Sequence, residues 1–195
     1  MSHPAPFICL LIVLLTACTT PPVGGSRLSH DPSSRYPFGR QNPEAPPETA
    51  QFAFMIGHND CQEERLNNAT GEWISGRRSW DASYYLDGFA IRDSGSAGSG
   101  TNGNVRIFDP ATGQWHVTFF SIPVYGSGVW RGGMVEDRIE LERPQKAPGT
   151  DLDGTNRLTF YDISDTGFNW KGQWISADGS FETDFWRISC TRVQS

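Results

Sequence analysis

The chain lacks long hydrophobic runs, blocks of basic residues and the short motifs that mark most catalytic sites. Its longest apolar run, Phe7–Leu15, has nine residues, whereas a membrane-spanning helix needs about 20. Lys and Arg number 16 against 22 Asp and Glu, which argues against a nucleic-acid partner, because such binding depends on clustered basic residues. The sequence contains no nucleophile elbow, His-Glu-x-x-His motif or Walker loop. Catalytic residues therefore stay unknown, and we expect no metal and no cofactor.

The N-terminus has the pattern of an export signal. Residues 1–17 carry no charged side chain, and their apolar run ends in Leu15-Thr16-Ala17-Cys18. The run is typical of the core of a signal peptide. Its end resembles the bacterial lipoprotein box, which implies cleavage before Cys18, a diacylglycerol on the Cys18 sulfur and an acyl chain such as palmitate on the amine. A secretory signal without lipid is the alternative.

The expected partner of this terminus is a lipid bilayer, because two or three acyl chains give stable anchoring. Thr19 follows the modified cysteine, and lipoproteins without Asp at that position resemble those sorted to the outer membrane. In a Gram-negative cell the sequence therefore predicts a lipid-anchored protein on the periplasmic face of the outer membrane.

Three regions are predicted. Residues 1–17 form the signal peptide, residues 18–50 form a lipidated and disordered tether, and residues 51–195 form a β-barrel domain. Seven of the 13 prolines lie between residues 19 and 49, a stretch without Trp. Such a composition buries too little apolar surface to offset the conformational entropy of the chain.

Residues 51–192 have the alternation of an antiparallel sheet. In the stretch 168–174, Phe168, Trp170, Gly172 and Trp174 share one face, and polar residues share the other. Pairs such as Asp87-Gly88 and Asp178-Gly179 supply hairpin turns, and the Gly/Ser run 94–103 is interpreted as a flexible rim loop. Ten strands are predicted, near residues 52–65, 74–86, 89–92, 105–109, 115–122, 128–135, 138–142, 157–164, 168–176 and 180–192.

The predicted fold is therefore all-β, a single antiparallel up-and-down barrel of about ten strands. Cys61 and Cys190 are the two cysteines that remain once the signal takes Cys9 and the lipid takes Cys18. They lie in the first and last strands, which pair when such a barrel closes. We therefore expect a disulfide between them, with two buried free thiols as the alternative.

Three stretches of the chain carry a family resemblance. They are Phe52-Ala-Phe-Met-Ile-Gly-His-Asn-Asp60, Phe108-Asp-Pro-Ala-Thr-Gly-Gln-Trp115 and the closing pair Asp178-Gly-Ser-Phe181 and Cys190-Thr-Arg192. They resemble the opening, a central hairpin and the last hairpin of a group of uncharacterised bacterial lipocalin-like proteins. The resemblance spans residues 51 to 193 and implies a calycin-like barrel without an established activity. At Asn59 the sequence departs from the Trp that calycins usually carry at the base of the barrel.

Five residues are candidates for contact with a ligand. An arginine that points into a barrel can bind a carboxylate through two hydrogen bonds, and a neighbouring indole supplies apolar surface. For most strand arginines, among them Arg78, Arg92, Arg106 and Arg157, the outer face of the barrel is the simpler interpretation. The ligand-binding candidates are Trp130, Arg131, Trp186, Arg187 and His116.

The favoured function is a non-enzymatic module that holds a small apolar or amphipathic molecule inside the barrel. Two alternatives stay open. One is an enzyme, such as a cyclase, isomerase or hydrolase, that uses the same cavity, and the other is an envelope scaffold with a filled barrel. A cavity lined by aromatic side chains favours binding, whereas buried Asp, His and Arg that converge on one point favour catalysis.

Overall fold

A computed structural model describes residues 28–98, 100–147 and 149–194 of the chain. The signal peptide, Cys18 and residues 18–27 of the tether lie outside the described residues. A 3-10 helix, Pro47–Met55, precedes ten strands. They are β1 Gly57–Leu66, β2 Trp73–Tyr85, β3 Ala90–Ala97, β4 Gly100–Asp109, β5 Gln114–Ile122, β6 Gly126–Val135, β7 Arg138–Pro144, β8 Gly154–Tyr161, β9 Gly167–Ser176 and β10 Glu182–Arg192.

Each strand pairs with its neighbours in the sequence, and β1 pairs with β10, so the sheet closes into an antiparallel up-and-down barrel. This confirms the predicted fold class and strand number. Cys61 lies opposite Cys190 in the β1–β10 register, and the two form a disulfide with a Cα–Cα distance of 4.1 Å. The predicted disulfide is thus confirmed, and the two sulfurs join the first strand to the last.

The two ends of the barrel differ. At one end, which we call the mouth, lie the connections that follow β1, β3, β5, β7 and β9. The other end, the base, is closed by the 3-10 helix. Thr49, Phe52 and Met55 of this helix are all fully buried, and their spacing of three residues matches the turn of a 3-10 helix. A strand had been expected from residue 52, but the period here is three rather than two, and β1 begins at Gly57.

Aromatic rings fill the base. The Phe52 ring contacts Trp115 and Phe160 edge to face, at centroid distances of 4.8 and 5.3 Å. Full burial of an aromatic side chain of this size contributes roughly 1.5–3 kcal/mol. Asn59 is also buried, and its amide donates to the carbonyl oxygens of Met55 and Trp80. The amide therefore ties β1 to the helix and to β2, and the rings of the helix and of other strands supply the bulk at the base.

The described part of the predicted tether is ordered, which corrects the expectation of disorder for residues 28–50. The Tyr84 backbone N–H donates to the Phe38 carbonyl, and the Asn42 N–H donates to the Gly88 carbonyl. The Asp87 carboxylate accepts hydrogen bonds from the backbone and the ring of His30. Contacts of this kind are polar and made mostly by backbone atoms, so they leave no apolar pattern in the sequence from which they could be predicted. This segment lies against the base, beside the β2–β3 turn.

Candidate functional site

The interior of the barrel holds a cavity of about 200 Å³ between the base and the mouth. Aromatic faces and amide or guanidinium groups line it together. The aromatic residues are Trp80, Phe119, Trp130, Trp170, Phe185 and Trp186, and the polar residues are Arg78, Asn102, Asn104, Arg106, Arg143, Gln145 and Asn156. Such a lining combines a large apolar surface with a small number of directional donors, as small-molecule sites do.

A second, larger space of about 600 Å³ adjoins the cavity at the mouth. We call it the mouth groove. It lies between the β7–β8 and β9–β10 connections, and Leu66, Ala147, Leu152, Trp174 and Phe181 supply its apolar walls. Gln145, Phe185 and Trp186 line both the groove and the interior cavity. The two spaces are therefore neighbours, with these three side chains between them.

The first polar cluster of the interior lies around Glu63. Its carboxylate accepts a hydrogen bond from the Trp186 indole N–H at 3.0 Å and another from Arg65 at 3.2 Å, and it lies 3.5 Å from the Arg78 guanidinium. Burial lowers the pKa of Arg78 from its ordinary value, and the charge of Glu63 opposes that shift. Because a guanidinium keeps its proton in proteins, Arg78 is a buried cation with a buried anion beside it.

The second polar cluster lies deeper, around Asp93. One carboxylate oxygen accepts from the Trp80 indole at 2.9 Å and from the Asn104 amide at 2.8 Å, and the other accepts from Arg106. The side chains of Arg106 and Asp93 are 3% and 1% exposed. Burial lowers the pKa of Arg106, and the charge of Asp93 opposes the shift. Both carboxylate oxygens of Asp93 accept hydrogen bonds within the protein, so Asp93 is not free to act on a ligand.

Arg143 belongs to a third arrangement, which contains no carboxylate. Its Nε and Nη2 donate to the Gln145 side-chain oxygen at 3.1 and 2.6 Å, and its guanidinium lies 4.0 Å from the centroid of the Trp130 ring. The Trp130 indole N–H donates to Asn156 at 2.7 Å. Burial lowers the pKa of Arg143. Among the described residues, Arg143 makes no salt bridge, so its charge is held by an aromatic face and a neutral amide.

Two glycines provide the room for these arginines. A Cβ atom on Gly128 would lie 1.9 Å from Arg143 Nη1, and one on Gly95 would lie 2.0 Å from Arg78 Nη2. Both glycines occupy inward-facing positions of their strands, and a larger residue at either position would displace a guanidinium. Gly95 belongs to the Gly/Ser run that was interpreted as a flexible rim loop. In the structure β3 and β4 extend through most of that run.

The structure divides the five predicted ligand-binding residues between the two faces of the barrel. Trp130 and Trp186 line the interior cavity. Arg131 and Arg187 are exposed on the outer face, where Arg187 pairs with Asp184 and lies over the Trp73 ring. His116 also faces outward, between the buried Trp115 and Val117. These last three residues do not line the interior cavity, because each is one position out of phase with its inward neighbour.

The interior arginines were missed as ligand candidates, although the sequence carried a signal for them. Arg78 is in phase with Trp80 and Arg106 with Phe108, and Arg143 is in phase with Ile139 and Leu141. All four of these apolar partners are buried. A strict count of two residues from each buried side chain would therefore have placed the three guanidinium groups inside.

Comparison with known proteins finds no protein-family model and no curated protein that matches this chain. The class of protein is defined by the structure alone. A closed barrel of ten antiparallel strands is consistent with a calycin-like fold. Within the described ranges, no helix is both long and apolar enough to cross a bilayer, and no three His, Cys, Asp or Glu side chains gather as metal ligands.

Proposed function

We propose that the barrel is a binding module that holds a small amphipathic molecule, and that the chain belongs with the lipocalin-like bacterial proteins that its motifs resemble. One observation carries the proposal. The interior cavity and the apolar groove at the mouth lie next to each other and share Phe185 and Trp186 in their linings. Burial of a ligand against these rings removes apolar surface from water on both molecules, which drives association.

The chemistry of the cavity supports binding better than catalysis. In the part of the chain that the structure describes, the cavity lining holds guanidinium, amide, indole and phenyl groups, but no carboxylate, imidazole or thiol. The nearest carboxylates, Glu63 and Asp93, are occupied by buried hydrogen bonds. General acid–base catalysis needs a group that can reach the proton it transfers. The lining offers orientation and charge instead.

A neutral fluorescent probe, N-phenyl-1-naphthylamine, tests the binding proposal. Its emission rises when it leaves water for an apolar site. We expect saturable one-to-one binding to the folded chain. Trp186→Ala should weaken this binding about tenfold, since about 1.4 kcal/mol of lost contact corresponds to that factor. Phe181 is 56% exposed at the mouth groove, so Phe181→Ala should weaken binding with little effect on folding.

Trp73→Ala is the matched control, because Trp73 is also an indole beneath an arginine, Arg187, but on the outer face. The control should bind the probe as the unmodified chain does, and circular dichroism melting checks that each variant is folded. Absence of saturable binding, or an equal loss in the Trp73 and Trp186 variants, would show that the cavity is not a ligand site.

The proposal includes anchoring of this module to a membrane through Cys18, on the periplasmic face of the outer membrane. Support comes from the sequence Leu15-Thr16-Ala17-Cys18 after the apolar run. We expect Cys18→Ser to move the protein from the membrane fraction to the soluble fraction when cells are separated by ultracentrifugation. Thr20→Ser, which keeps the cysteine, is the control. Unchanged membrane association of the Cys18 variant would contradict the anchor.

A further inference from the structure

The three arginines that line the cavity are held in parallel arrangements, and one of them is incomplete. At Arg106, the buried Asp93 carboxylate accepts from the guanidinium and from the Trp80 indole N–H. At Arg78, the buried Glu63 carboxylate lies beside the guanidinium and accepts from Arg65 and from the Trp186 indole N–H. At Arg143 the corresponding acceptors are the neutral side chains of Gln145 and Asn156. The Arg143 arrangement therefore lacks the negative charge that each of the other two contains.

Three guanidinium groups line the interior cavity, and the carboxylates Glu63 and Asp93 lie beside two of them. Arg143 has neither carboxylate as a partner. Arg143 is half-buried, so its guanidinium loses part of its hydration without gaining an ionic partner. The aromatic face of Trp130 offsets part of that loss. A bound anion would restore the missing charge, since hydrogen bonds between a guanidinium and an anion are stronger than those between neutral groups.

The position of Arg143 suits a ligand that enters from the mouth. Gln145, which accepts from the Arg143 guanidinium, is one of the three side chains shared by the cavity and the mouth groove. Nη1 of Arg143 has no hydrogen-bond partner among the described residues, and it lies over Gly128. An anionic group that reaches this depth leaves the rest of its molecule beside Phe185 and Trp186, with the groove beyond.

We propose that the ligand is an amphipathic molecule with one anionic group of the carboxylate or sulfonate class, which pairs with Arg143 while its apolar body lies in the mouth groove. This inference rests on the proposed binding function and adds the charge and the orientation of the ligand. Arg143 is the specificity-determining residue, because it separates an anion from a neutral molecule of the same shape.

Two dyes that share one skeleton test the inference. 1-Anilinonaphthalene-8-sulfonate carries a sulfonate that N-phenyl-1-naphthylamine lacks. We expect the unmodified chain to bind the sulfonate about tenfold more tightly than the neutral dye, and the two dyes to compete for one site. Arg143→Gln should remove this preference, with at least a tenfold loss for the sulfonate and less than a twofold change for the neutral dye. Arg143→Lys, which keeps the charge, should retain part of the preference.

Arg131→Gln is the matched control, because Arg131 lies on the outer face beside Trp130. It should leave both affinities unchanged. Gly128→Ala provides a second variant that keeps Arg143 but displaces its guanidinium, and it should weaken the sulfonate more than the neutral dye. The neutral dye also reports whether the cavity of each variant is intact. A variant that does not fold loses affinity for both dyes, whereas loss of charge recognition weakens the sulfonate dye alone.

The outcomes separate the inference from the function on which it rests. Binding of neither dye overturns the binding function itself. Binding of the neutral dye without a preference for the sulfonate overturns the inference and leaves the binding function standing. The inference also fails if Arg143→Gln weakens both dyes equally, or if Arg131→Gln removes the preference as Arg143→Gln does.

Discussion

Asp93→Asn is expected to lower the free energy of unfolding by about 3–5 kcal/mol, because it leaves the Arg106 guanidinium as an uncompensated buried charge. The two side chains are almost fully buried, so water cannot take the place of the carboxylate. Asparagine keeps the size of the side chain and one oxygen acceptor, and the loss is therefore one of charge. Urea unfolding followed by tryptophan fluorescence measures the change.

Two further variants isolate that cause. Asp60→Asn removes a carboxylate from an ion pair on the outer face, where Asp60 and Arg77 are 63% and 73% exposed, and exposed pairs contribute little to stability. We expect little change in its urea midpoint. The double variant Asp93→Asn/Arg106→Met should recover much of the stability, because it removes the orphaned cation as well. Equal midpoints for Asp93→Asn and Asp60→Asn would contradict the importance of the buried pair.

Loss of the Cys61–Cys190 disulfide is expected to have an effect of similar size. The two cysteines are 129 residues apart in the sequence, and in the chain-entropy model a loop of this length constrains the unfolded chain by about 5 kcal/mol. The double variant Cys61→Ala/Cys190→Ala should therefore unfold at a much lower urea concentration than the oxidised chain. A single variant, Cys61→Ala, should behave like the double variant, because one cysteine cannot form the bond.

A reductant provides the control for the disulfide. It should destabilise the unmodified chain and leave the double alanine variant unchanged, since the latter has no bond between β1 and β10 to lose. Peptide mapping without reduction should recover residues 61 and 190 in one linked fragment. Free thiols at both positions in oxidised protein would contradict the bond.

The strand order and the closure of the barrel followed from short-range patterns in the sequence. Turn residues such as Gly88 and Gly179 have positive φ angles of 80° and 71°, which glycine adopts without steric cost. Turn residues of this kind indicate the positions of the hairpin turns in the sequence. The pairing of β1 with β10 was predicted from the run of hairpin-connected strands, and the Cys61–Cys190 disulfide was predicted from that pairing. Both match the observed register.

Long-range contacts explain the parts of the fold that the sequence did not predict. The 3-10 helix buries one residue in three, and a search for periods of 2 or 3.6 does not detect that spacing. Residues such as Phe38 and Asn42 are held by backbone hydrogen bonds to Tyr84 and Gly88, and a proline-rich composition gives no sign of those partners. Gly95 lies in β3, and a glycine suits this strand position because Arg78, on β2, occupies the space that a side chain would need.

For the candidate site, the sequence identified the aromatic half and missed the charged half. Trp130 and Trp186 line the cavity as expected. The adjacent arginines, 131 and 187, were chosen because they lie beside tryptophans, but adjacent residues in a strand point to opposite faces. The buried arginines were assigned to solvent because isolated cations are rarely buried. That rule does not apply to Arg78 and Arg106, because Glu63 and Asp93 lie beside them.

The ordered segment at the base has a consequence for the proposed membrane anchoring. With Cys18 acylated as proposed, the ten residues 18–27 reach at most about 36 Å when fully extended. They lead to residues that lie against the base, beside the β2–β3 turn. The tether therefore joins the barrel at the end opposite the mouth. Under the proposed anchoring, a barrel held by its base is able to present its mouth to the aqueous compartment, where it would take up a ligand from solution or from a soluble carrier.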